Sequence, residues 1–138
     1  MNPQRALILL LRFLSCVLLL AFGAVLLPES FMAAMHARLG MGDFPASPLV
    51  DYLTRSIAAL YGFHGVLILL VSRDMARYGP IVTYLGVMSM VVGIILITID
   101  LHAAMPWWWT TVEGPPLMVM GLAILLLSRA SYPAQSSP

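Results

Sequence analysis

At 138 residues the chain has the length of one domain, but 61% is hydrophobic and only 9% is charged, against about a quarter charged in a soluble domain. With a mean hydropathy of +0.95, these proportions exclude an ordinary soluble fold and indicate an integral membrane protein. All seven cations are arginine and the net charge is +1; with no basic tract, nucleic acid has no support as a partner.

In chain order, Met1 to Arg5 is a short basic start. Ala6 to Leu27 follows, an apolar run interrupted by Arg12. The run is about long enough to span a bilayer, which favours a retained first helix over a cleaved signal. Arg12 is expected to snorkel to the near interface. A lipoprotein signal ending at Cys16 would turn polar after the cysteine, whereas apolar residues continue here. As the single cysteine, Cys16 excludes an internal disulfide.

Pro28 to Thr54 is the longest loop. Within it Glu29 to Leu39 reads as a short helix ended by Gly40, with Phe31, Met32, Met35 and Leu39 near one face. That pattern suits a helix lying in the membrane interface. The following GMGDFPASP is turn-rich, and Ser47 or Asp51 is placed to start the second span.

The next two spans, roughly 53–72 and 80–100, flank the charged turn SRDMARYGP, so they form an antiparallel hairpin. Ala58, Gly62 and Gly65 share one helix face, and Gly86, Ser89 and Gly93 share another. Small residues allow close backbone approach in lipid, so these faces are expected to form the hairpin's seam. Folding the hairpin about its middle brings Arg55 opposite Asp100, which gives an expected ion pair. The other reading makes both residues simple markers of helix ends.

The second outer segment, DLHAAMPWWWTTVEGPP, carries Trp107 to Trp109, a strong interfacial signal. The last apolar run is too short to span alone. The fourth span is therefore expected over 110–129, bent or broken around Gly114-Pro115-Pro116, with a polar tail at YPAQSSP.

Altogether the sequence predicts an all-α fold: one membrane domain over 1–138 and an antiparallel four-helix bundle, spanning about 6–27, 53–72, 80–100 and 110–129. The short interfacial helix lies in the first outer loop. Arg5, Arg12, Arg73, Arg77 and Arg129 lie at the ends and the central turn, against Arg38 and Arg55 in the outer loops. By the positive-inside rule both termini are cytoplasmic.

The phrases YLTRSIAALYGFHG, SRDMARYGP and DLHAAMPWWWTTVEGPP resemble those of small bacterial inner-membrane proteins without an assigned activity. The four-span layout is similar to that of DoxX-like proteins. The resemblance implies the fold, a bacterial inner-membrane location and proximity to membrane redox or stress systems. It supplies no catalytic motif.

His64 lies about halfway along the expected second span, a depth at which ionisable residues are rare. It is a candidate cofactor-binding residue, as a haem ligand, quinone donor or proton relay. Its bland reading is a neutral imidazole bonded to a backbone carbonyl, Ser89 or Tyr61. Asp100, His102 and Glu113, with His36 as a further member, have the chemistry of a divalent metal site. Their spacing equally fits a wet interface. The ten methionines are scattered through apolar runs and read as flexible packing.

No nucleophile elbow or phosphate loop is present, and no cofactor is required by the sequence. Two function classes follow. The first is a non-catalytic structural or accessory component that contacts lipid and other membrane subunits or a second copy of itself. The second is a small carrier or redox-linked protein using His64 and the outer acidic cluster.

Overall fold

A computed structural model describes residues 2–45 and 47–131; the expected polar tail, residues 132–138, lies outside the described residues. Helices account for all regular structure among the described residues: α1 Pro3–Leu19, α2 Ala21–Leu26, α3 Glu29–Arg38, α4 Pro48–Val71, α5 Gly79–His102 and α6 Trp107–Ser131. Four stretches, Pro3–Leu26, α4, α5 and α6, are long and apolar enough to cross a membrane. Each has 24 or 25 residues, about 36 Å of helix against a hydrocarbon core of roughly 30 Å. The protein is an all-α, multi-pass membrane protein.

Two helices start earlier than the hydropathy pattern suggests. α4 begins at Pro48 because the Ser47 hydroxyl accepts the Val50 N–H at 3.2 Å. Proline, having no N–H to lose, suits the first helical position. α6 begins at Trp107 and runs unbroken through Pro115 and Pro116, where a bend or break was expected. The two prolines still remove the N–H groups that would serve the carbonyls of Thr111 and Val112.

The chain divides into two compact units, Met1–Leu11 with Val71–Pro138, and Arg12–Leu70. In the first, α5 and α6 form an antiparallel hairpin around the turn 103–106. α5 closes with Ala104 in the left-handed region, φ +53°. The Ala104 N–H reaches the Leu101 carbonyl at 3.4 Å and the Met105 N–H reaches that of Asp100 at 2.9 Å. These two bonds are a Schellman closure, usually given to glycine because a Cβ is strained there. α3 closes the same way with Gly40, φ +73°.

Glycine sets the spacing of the α5–α6 hairpin. A Cβ built on Gly121 would lie 2.6 Å from the Gly86 carbonyl oxygen, and one on Gly93 would lie 2.8 Å from that of Gly114. Each pair is equidistant from the Ala103–Ala104 turn, so two backbone-to-backbone contacts recur two turns apart along the seam. Val82, Leu85 and Ile124 complete the buried apolar positions of these two helices.

The second unit repeats the device with other partners. The Ser15 hydroxyl of α1, fully buried, donates to the Gly65 carbonyl of α4 at 2.8 Å. A Cβ on Gly65 would lie 3.0 Å from the Leu19 nitrogen, and one on Gly62 would lie 2.6 Å from the Phe22 ring. Phe22 also meets Phe63 edge to face, 5.2 Å between centroids. The small-residue faces expected from the sequence are therefore used, but Gly62 and Gly65 take α1 and α2, while Gly86 and Gly93 take α6. Ser15→Ala should cost about 1 kcal/mol, since the Gly65 oxygen loses its donor and an apolar surround offers no water. A thermal melt in detergent reads this, and a midpoint equal to that of the unaltered protein would remove the bond from the account.

Candidate functional site

Three places carry polar chemistry within or beside the spans. The first is built on Arg55, in the second turn of α4. Its Nε donates to both carboxylate oxygens of Asp51, at 2.9 and 3.0 Å. Nη1 donates to the Val25 carbonyl and Nη2 to that of Leu27 at 3.1 Å. Those carbonyls lie at the end of α2, where the last turn has no intrahelical donors left. A guanidinium placed there satisfies them and complements the negative end of the helix. Arg55 pairs with Asp51, one turn back on the same helix, while Asp100, its partner expected from the sequence, belongs to the other compact unit. The physical reason is proximity: an acid four residues before an arginine shares its face without any tertiary requirement.

The second place is the outer end of the α5–α6 hairpin. Asp100 is only 4% exposed, and its Oδ2 has no hydrogen-bond partner among the described residues. A buried acceptor without a donor costs about 1–3 kcal/mol. His102, two residues on, is exposed. Glu113 is engaged on its own helix, where its Oε2 accepts the Trp109 indole N–H at 2.7 Å. Trp108 meets Trp109 edge to face at 5.6 Å, and Trp107 is 80% exposed, as an interfacial anchor would be.

Asp100, His102 and Glu113 are not brought together as a metal centre. Among the described residues no three His, Cys, Asp or Glu side chains form a group that could hold a metal ion. Their proximity in sequence is spent on different faces: Asp100 inward, His102 outward, Glu113 on an indole. His36 is held elsewhere, with Nδ1 3.1 Å from the Gly42 carbonyl and its ring against Phe44. It fastens the loop after α3.

The third place is His64. Because α4 starts at Pro48, His64 lies seven residues before the helix end at Val71, about 10 Å in, rather than midway. Its side chain is exposed and makes no hydrogen bond among the described residues, so neither Ser89 nor Tyr61 satisfies it. Leu60, Tyr61, Phe63 and Leu67 around it are exposed as well. The imidazole therefore stands on an outward apolar surface, accessible for ligation and unpartnered.

The Asp51–Arg55 spacing was the signal for the first place, an acid four residues ahead of a base on a helix. For the hairpin it was the matching seven-residue intervals, Gly86 to Gly93 and Gly114 to Gly121. No family model, no curated protein and no solved structure matches the chain.

Proposed function

We propose that the protein is a non-catalytic accessory component of a larger assembly in a bacterial inner membrane. The observation that carries this reading is His64. An imidazole facing hydrocarbon without a partner is costly, because lipid tails neither donate nor accept hydrogen bonds. A neighbouring subunit against the Leu60–Leu67 face of α4 would supply that partner and cover the exposed rings. The arginine distribution favours cytoplasmic ends for the chain, which puts α3 and the tryptophans on the opposite side, with α3 at the interface. The carrier or redox reading also uses His64, but it needs the outer acidic residues as a set, and their divergent faces weigh against it.

A photo-reactive residue at Leu60, one turn from His64, should give a discrete cross-linked adduct in native membranes. His64→Leu should reduce its yield several-fold. A lone, uncross-linked chain in both proteins would overturn the accessory reading. A Soret band abolished by His64→Ala would replace it with haem ligation.

A further inference from the structure

The α5–α6 hairpin has a second polar end that none of the sites above uses. There the start of α5 and the last turns of α6 line an open groove of about 260 Å³, formed by Met75, Ala76, Gly79, Thr83, Ser128 and Arg129. We propose that this groove binds the phosphate of an anionic phospholipid headgroup.

The donors come from three sources. α5 is a 24-residue helix whose N-cap, Tyr78, contributes no side-chain cap. The first amides, those of Gly79 and Ile81, begin the helix without intrahelical acceptors, at its positive end. A Cβ on Gly79 would meet nothing within 4 Å, so the space over the first turn is open to a ligand. Arg129 adds a cation on an exposed side chain at the end of α6.

Ser128 is the independent observation. It is 8% exposed, lines the groove and has no hydrogen-bond partner among the described residues. The hydroxyls of Thr83, Ser89, Thr98, Thr111 and Ser131 donate back to a carbonyl four residues earlier, whereas those of Thr54, Ser56, Thr110 and Ser128 do not. Ser128 makes no such bond, and it lines the groove. A phosphate oxygen in the groove would accept its hydrogen bond.

Surrounding charge fits a single anion. Arg73 and Arg77 lie on the connector before α5, Arg77 with its guanidinium over the Tyr78 ring. The nearby acid, Asp74, accepts the Arg77 backbone N–H at 3.1 Å. The lipid source follows from position, because both lining segments are the ends of spans and so lie at headgroup depth. This inference uses neither His64 nor the α4 face, so it stands or falls apart from the accessory reading.

The test is native mass spectrometry of the full chain, delipidated in neutral detergent, with phosphatidylglycerol, phosphatidylcholine or inorganic phosphate added. Phosphatidylglycerol should be retained over phosphatidylcholine. Arg129→Gln should weaken it about tenfold and Ser128→Ala about threefold, the scale of a charged and a neutral hydrogen bond. Arg38→Gln, outside the groove, should leave it unchanged. Arg129→Gln removes only an exposed charge, so its fold is retained. Equal retention of both lipids, or no effect of Arg129→Gln, would overturn the site. Complete displacement by inorganic phosphate at the lipid's own concentration would overturn the lipid assignment in favour of a free anion.

Discussion

Gly121→Ala should destabilise the protein by about 2–3 kcal/mol, at the upper end for adding one methyl group to a packed seam. The new Cβ would sit 2.6 Å from the Gly86 oxygen and 2.9 Å from the Met90 nitrogen. Both are backbone atoms and cannot rotate away, so the hairpin must open to admit the methyl. Gly121→Leu should keep the protein from accumulating. Gly62→Ala should be milder, because its neighbour is the Phe22 ring, which can swing. Gly23→Ala is the control: nothing lies within 4 Å of its Cβ, and alanine in a helix gains up to about 1 kcal/mol over glycine. Thermal unfolding in detergent ranks the three alanine variants, and Gly121→Ala melting with Gly23→Ala would refute the close crossing.

The second large effect is at Arg55. Arg55→Ala frees two carbonyls at the end of α2 and strands the Asp51 carboxylate. Charged hydrogen bonds bring about 1.5–3 kcal/mol each, but the side chain is 31% exposed and water recovers part of this. The expected loss is about 2–3 kcal/mol. Asp51→Ala alone should cost about 0.5 kcal/mol, the scale of a helix-surface pair. Arg55→Lys keeps the charge but has no fork to reach Val25 and Leu27 together, so it should recover less than half of the loss. If Asp51→Ala proves as damaging as Arg55→Ala, the ion pair and not the carbonyl clamp carries the stability.

The four apolar helices were legible because composition leaves few alternatives: long uncharged runs separated by Gly, Pro and Arg have one physical reading in a membrane protein. The start of α4 was legible too, since Ser47, one of the two residues placed to begin the second span, caps it through its hydroxyl. Which glycine face meets which was misread for a specific reason. Folding the chain about its most charged turn treats adjacent spans as partners. Gly86 and Gly93 instead match Gly114 and Gly121 across the shorter turn at Ala103–Ala104. That turn was hidden because its left-handed position is alanine, without the glycine that marks Gly40. Of the candidate site residues, depth along a helix could be read for His64, but the direction of its side chain could not. The outward aim of His102 and the indole partner of Glu113 were equally beyond a linear pattern.

The paired prolines of α6 act as a depth gauge. The carbonyls of Thr111 and Val112 have lost their ladder donors, and hydrocarbon offers no replacement, so a neighbouring helix, a hydroxyl or water must serve them. Where water is what serves them, the lipid boundary on that side lies near Pro115. From Val112 to Ser128 the helix rises roughly 24 Å, short of the roughly 30 Å of an average hydrocarbon core. A bilayer meeting α6 at that level would thin beside it or draw headgroups down around the tryptophans. A bilayer of short-chain lipids would then be the one that α6 fits without strain.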